Sequence, residues 1–131
     1  MLDTDICSYL IRGRSRRIEE RLADLAPDEV CISVITHAEL LYGLKRLPPS
    51  HRLHVTVRRF LRMLRILPWD SDAAGFYAEI AHQLLSSGQP IGEFDMMIAA
   101  HSLAVGAILV TNNVRHYERI AQPLTFENWS E

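Results

Sequence analysis

Several acids of this chain stand where a bare carboxylate is unfavourable. Asp3 and Asp5 flank Thr4 directly after the apolar pair Met1–Leu2. Glu39 lies between Ala38 and Leu40 in an apolar segment, and Asp95 directly precedes Met96-Met97-Ile98-Ala99-Ala100. A carboxylate near a core is costly unless it is paired, hydrogen-bonded or metal-bound. If a fold gathers three such acids from distant segments, their like charges crowd. Their proton affinities then rise until a cation neutralises them. Oxygen-rich sites of this kind suit Mg2+ or Mn2+, held through carboxylates and water. A metal so held orients a phosphodiester and activates water for in-line attack.

Each acid also has a plain structural reading. Asp3 or Asp5 serves as N-cap of the first helix, and Asp95 as cap of its own. Glu39 is a partly exposed helix residue, and Asn112 an ordinary turn residue. The remaining acids, such as Glu19, Glu20, Asp24, Glu29 and Glu131, read as solvated surface. The metal-site reading rests on the joint pattern.

The elements that must position these residues alternate between strand and helix. Met1–Leu2 reads as a very short strand, Ile6 to Ile11 as a helix, and Ile18 to Leu25 as an amphipathic helix. Val30-Cys31-Ile32 is a buried strand, and Ser33 or Thr36 caps the helix that follows to Leu44. Pro49-Ser50 opens a helix to about residue 64, and 65–68 is a short strand. Ser71 or Asp72 caps a helix reaching Leu85, and Phe94 to Val105 is a nearly all-apolar helix ended by Gly106. Ala107 to Val110 is the clearest buried strand, and a last strand is expected near 124–126. This alternation predicts an α/β fold, a three-layer α/β/α sandwich around a small parallel sheet of short strands. In such sheets ligands bind at the carboxyl ends of the strands. That rule selects Asp3, then Ser33 and Thr36, then Asn112 and Asn113, with Thr111 beside them as a supporting residue.

The chain has 131 residues, 48% hydrophobic and 23% charged, with a net charge of −2. One domain over 1–131 is expected, and disordered, collagenous and disulfide-scaffold classes are excluded. No apolar run reaches the ~18–20 residues of a membrane span, and no basic-then-apolar leader is visible, so the expected location is the cytoplasm. Cys7 and Cys31 read as reduced, buried thiols. No glycine-rich phosphate loop is present, and no Cys or His stands at zinc-ligand spacing. Of the 14 basic residues, only Lys45 is lysine. Arginine's planar fork suits phosphate. Arg12, Arg14, Arg16 and Arg17 cluster close in chain to the acids and are candidates for holding nucleic-acid phosphates, or else for pairing with Glu19 and Glu20. Arg58, Arg62 and Arg65 read as sharing a helical face turned to solvent or a partner.

Four segments, MLDTDI at 1–6, ISVITHAELLYG at 32–43, PIGEFDMMIAAHSLAVGAILVTNNVRHYERI at 90–120 and LTFENW at 124–129, occur together in this order. In them the chain resembles the PIN-domain ribonucleases, and among these the VapC toxins of bacterial toxin–antitoxin pairs. It looks most like the VapC subgroup that cleaves initiator tRNA in the anticodon stem-loop. The resemblance implies a Rossmann-like PIN fold and a Mg2+- or Mn2+-dependent endoribonuclease acting on tRNA. It implies Asp3, Glu39 and Asp95 as metal-binding acids, with Thr4 and Ser33 or Thr36 tying the site together. It also implies a homodimer and a cognate VapB-type antitoxin, whose helix would lie in a groove near Leu40, Leu44, Val57, Phe60 and Leu61. Two positions depart from the family pattern. Asp5 stands where asparagine is common, and Asn113 falls where a fourth aspartate is common.

Two other readings compete. A non-catalytic PIN-fold module that binds RNA or a partner is favoured by Asn113. A haloacid-dehalogenase-type phosphatase is suggested by Asp3-x-Asp5 after a strand, but Cys7 stands where that family has threonine or valine, and Lys45 is its only candidate lysine.

Overall fold

A single residue, Leu2, holds the middle of the sheet. In the computed structural model, which describes residues 1–131, Leu2 forms parallel bridges to Ile32 on one side and Val110 on the other. Its N–H donates to the Cys31 carbonyl at 2.9 Å, and the Asp3 N–H donates to the Val110 carbonyl at 3.0 Å. β1 (Cys31–Ser33) pairs in parallel with β2 (Arg65–Leu67), and β3 (Leu109–Val110) with β4 (Phe126–Glu127). The order across the sheet is therefore β2, β1, Leu2, β3, β4. The expected Met1–Leu2 strand shrinks to one bridging residue because α1 begins two residues later, at Thr4.

Parallel neighbours require crossovers, and helices supply them. The helices are α1 (Thr4–Arg12), α2 (Arg16–Ala23), α3 (Val34–Lys45), α4 (Leu53–Arg62), α5 (Ser71–Ser86), α6 (Glu93–Val105) and the short α7 (Val114–Tyr117). Successive strand residues face opposite sides of a sheet. Here Leu2, Ile32 and Val110 join the core under α1, α3 and α4. Met1, Leu109 and the partly buried Cys31 and Leu67 join the core under α5 and α6. Two cores on opposite faces of one parallel sheet make the three-layer α/β/α sandwich that the alternation of elements predicts.

Several boundaries differ from expectation. Residues 49–52 form a turn, so α4 starts at Leu53, whose N–H donates to His51 Nδ1 at 3.1 Å. Asp70, not Ser71 or Asp72, caps α5 by accepting the Ala73 N–H at 3.2 Å. Ser33, not Thr36, caps α3. Ser15 caps α2 and draws Arg16 and Arg17 into its first turn. Arg65 lies on β2 and donates to the Asp28 carbonyl, so it does not share a helical face with Arg58 and Arg62. Cys7 is buried but Cys31 only half-buried, and both are free thiols. The last strand falls one to two residues beyond its expected place. No helix is long and apolar enough to cross a membrane.

Leu2 is 1% exposed and packs into the core under α1. Leu2→Ala leaves a cavity beside the central backbone ladder and should destabilise the fold by about 3 kcal/mol. Leu85 is 61% exposed, and Leu85→Ala should change stability by less than ~0.5 kcal/mol. Urea unfolding of the two variants measures the contrast, and similar losses would contradict the central role of Leu2.

Candidate active site

The chain reverses its direction of travel across the sheet between Leu2 and β3, and at such a switch the carboxyl ends of the strands open a crevice. Asp3 sits there, only 2% exposed. It is also the N-cap of α1. Its Oδ1 accepts the Ile6 N–H at 2.9 Å. Burial pushes its pKa from 3.8 up to about 7, with Asp5 and Asp95 adding to the rise. The Thr111 hydroxyl and the Ile6 N–H oppose this without overcoming it.

α3 delivers Glu39 to the same place. Thr4, one residue into α1, donates its hydroxyl to Glu39 Oε1 at 2.6 Å and lies 3.2 Å from the Thr36 hydroxyl. Thr4 has one proton to give, so Thr36 is the donor across the second contact. Burial raises the Glu39 pKa, the Thr4 bond lowers it, and Asp95 and Asp5 raise it further. Asp95 enters from the first turn of α6, partly exposed, and is not the cap of that helix. A Cβ added at Gly92 would lie 3.5 Å from Asp95 Oδ2, so the residue before α6 leaves room beside the acid. His116 Nδ1 stands 3.4 Å from Asp95 Oδ2, a long contact for a hydrogen bond.

The remaining predicted residues divide. Thr111 is fully buried beside Asp3, and its Oγ1 accepts the Asn113 N–H at 2.9 Å. Asn113 Nδ2 donates to Asp5 Oδ2 at 2.6 Å. The two positions that depart from the family pattern thus touch each other, one supplying the carboxylate and the other the amide. Asn112 turns away and donates to the Tyr9 hydroxyl at 3.1 Å. Ser33 also turns away from the acids: besides capping α3, it contacts His101 Nδ1 at 2.7 Å in the interior. Of the arginines, Arg12 lines the groove that contains Glu39. Arg14 and Arg17 are exposed, and Arg16 is spent on an ion pair with Glu20 at 2.8 Å.

Sequence reasoning missed Tyr117. It is 1% exposed, and its hydroxyl has no hydrogen-bond partner. Burial, together with the charges of Asp95 and Asp3, pushes its pKa far above the ordinary value. It is carried by α7, a four-residue helix too short to announce itself in the sequence.

The donor set is carboxylate and hydroxyl oxygen, which suits a hard divalent cation. No three His, Cys, Asp or Glu side chains stand at direct-ligand spacing. A closed cage of the zinc type is therefore absent. Mg2+ fits such a set because it keeps several waters and needs only one or two direct carboxylates. The groove beside the acids, about 940 Å3, runs between α1, α3 and α4 and is mostly apolar. Leu40, Leu44 and Val57 line it as expected, but Phe60 and Leu61 do not.

The folded chain holds a proton on Asp3 that the unfolded chain, titrating near ~3.9, releases. Without metal, stability should therefore fall as pH rises from about 4 and level off above about 7. Asparagine keeps the cap and cannot ionise. In EDTA, Asp3→Asn should melt above the wild type at about pH 8 and approach it at about pH 4. A gap that is the same at both pH values would show that Asp3 does not carry this charge.

A family model described as PIN domain matches residues 1–122. The chain is 37% identical, over 99% of its length and 97% of the other protein, to the tRNA(fMet)-specific endonuclease VapC of Shigella flexneri. It is 40% identical to the protein of the same name from Salmonella typhimurium, over 98% and 96% of the two chains. Among solved structures, DNA-bound VapBC from Salmonella typhimurium superposes with a TM-score of 0.90 at 37% identity, covering 98% of this chain and 96% of that one. VapBC2 from Rickettsia felis, bound to a promoter DNA fragment, gives 0.89 at 34%, covering 98% and 97%. These matches in sequence and in shape run over nearly the whole chain, and the chain belongs to the PIN-domain family and, within it, to the VapC ribonucleases.

Proposed function

We propose that this VapC ribonuclease hydrolyses RNA phosphodiester bonds with Mg2+ or Mn2+ held by Asp3, Glu39 and Asp95, and that its substrate is a tRNA anticodon stem-loop, initiator tRNA foremost. The observation that carries the reading is the buried Asp3, whose proton affinity is raised by its burial and by neighbouring acids. When bound, the ion supplies neutralising charge and an activated water. The chain's own residues do the rest. Thr4 orients Glu39 through Oε1 and is itself fixed by Thr36. Asn113 holds Asp5 through its amide nitrogen. Thr111 supports Asp3 through its hydroxyl. Arg12 and Arg14 would meet RNA phosphates near the acids.

The tRNA target is supported by the relatives named for tRNA(fMet), and a VapB-type antitoxin by the solved VapBC complexes. The mostly apolar groove beside the acids, with exposed Tyr42 and Phe94 at its rim, suits an antitoxin helix. A homodimer working in the cytoplasm completes the reading. The phosphatase alternative lacks its lysine, since Lys45 is exposed in the last turn of α3, six residues beyond Glu39.

With Mg2+, the purified chain should cleave tRNA, and Asp3→Asn or Asp95→Asn should lower the rate by about 100-fold or more. Mg2+ should also raise the wild-type melting temperature more than that of Asp3→Asn, because it binds the native state through that acid. RNA binding with no cleavage by the wild type would favour the non-catalytic module instead.

A further inference from the structure

We infer that the notch between the C-terminal end of α1 and the N-terminal end of α4 binds a backbone phosphate of the RNA substrate through Arg12, Arg14, His51 and Arg52. This rests on the RNA reading above but adds a site, and two residues, that the motifs do not mark. The notch has a volume of about 530 Å3 and no carboxylate among its lining residues, though Glu19 Oε1 stands 3.8 Å from where a Cβ on Gly13 would lie. The whole chain carries 16 acids against 14 bases. A pocket whose charged residues are all cationic is therefore a product of placement, not of composition.

The arginines there are free. Arg16 is taken by Glu20, Arg21 by Glu127, Arg65 by the Asp28 carbonyl and Arg119 by the Pro90 carbonyl. Arg12, Arg14 and Arg52 make no ion pair and no side-chain hydrogen bond; Arg17, Arg46, Arg58, Arg59, Arg62 and Arg115 are equally unpaired, but these three line one notch together. Three unpaired guanidiniums facing one concavity repel each other, and an anion relieves that repulsion. His51 adds a donor: Nδ1 accepts the Leu53 N–H, so the ring proton sits on Nε2.

Gly13 makes the geometry workable. Its positive φ of 60° turns the chain at the end of α1, so that Arg12 and Arg14 both reach the notch. The same turn directs the Gly13 and Arg14 N–H groups back to the Leu10 and Tyr9 carbonyls. The negative end of α1 is thereby quenched and does not oppose an incoming anion.

Continuity with the acids favours nucleic acid over an acidic peptide. Ile11, Arg12 and Leu53 line both the notch and the groove that holds Thr4 and Glu39. An RNA strand with one phosphate at the acids can lay another in the notch. The acids alone would repel that strand, and the notch supplies attraction beside them.

The test compares wild type with Arg14→Ala/Arg52→Ala, using a fluorescently labelled RNA hairpin titrated at several salt concentrations. Both side chains are exposed, and a thermal melt checks folding. The double variant should bind at least about tenfold more weakly, and its log-log salt slope should shrink by roughly 1 to 2. In cleavage assays its KM should rise while kcat holds. Arg58→Ala/Arg59→Ala, on α4 outside the notch, should behave as wild type. Unchanged affinity and slope would overturn the inference. So would intact RNA binding with weakened antitoxin binding, which would assign the notch to an acidic protein segment. The two readings fail separately: a wild type that binds the hairpin through the notch without cutting it refutes the nuclease, whereas cleavage with an unaltered KM in the double variant refutes the notch.

Discussion

Carboxylates buried together at the carboxyl end of a parallel sheet are the constraint around which this molecule is arranged. Asp3, Asp5, Glu39 and Asp95 come from three segments; burial first, and neighbouring charge after it, raise the proton affinities of Asp3 and Glu39. Left free, such side chains would swing apart into water. Asp3 cannot, because its backbone N–H is bonded to β3 and its carboxylate caps α1. Glu39 is held by the Thr4 hydroxyl. The fold also softens what it imposes: Asp3 at the start of α1 and Asp95 in the first turn of α6 lie at the positive ends of helix dipoles. The remaining imbalance is what a divalent cation would relieve.

Much of this was legible from residue types alone. Acids embedded in apolar runs, the apolar strand whose expected span 107–110 shortens to 109–110, and the glycine ending α6 are local signals. They survive because burial and backbone conformation demand those residue types wherever they occur. What stayed hidden depends on tertiary neighbours. One residue cannot show the periodicity of a strand, so the minimal extent of the central strand was invisible. Asp70 outcompeted Ser71 as a cap because its carboxylate reaches the Ala73 N–H, a matter of backbone angle rather than of composition. The Ser33 hydroxyl points into the interior toward His101 rather than to the acids, a choice that only packing decides.

The Asp5–Asn113 contact shows how two apparent anomalies become one. Read separately, an extra acid at position 5 suggests more negative charge and an amide at 113 suggests a weakened site. At 2.6 Å the amide donates to the acid, and the local charge is redistributed rather than changed. Sequence order keeps the two residues far apart, and only the parallel sheet with Leu2 between β1 and β3 brings their turns together.

The same central residue has a consequence for how the molecule comes into being. The Met1 ammonium donates to the Ile108 carbonyl across 107 positions of the chain. Contacts of such long range are entropically slow to close and lower the folding rate. During synthesis the first residues emerge early but have no partner strand on one side until β3 has been made. A nascent polypeptide therefore carries its acids apart until β3 has been made, and only then can the sheet bring them together.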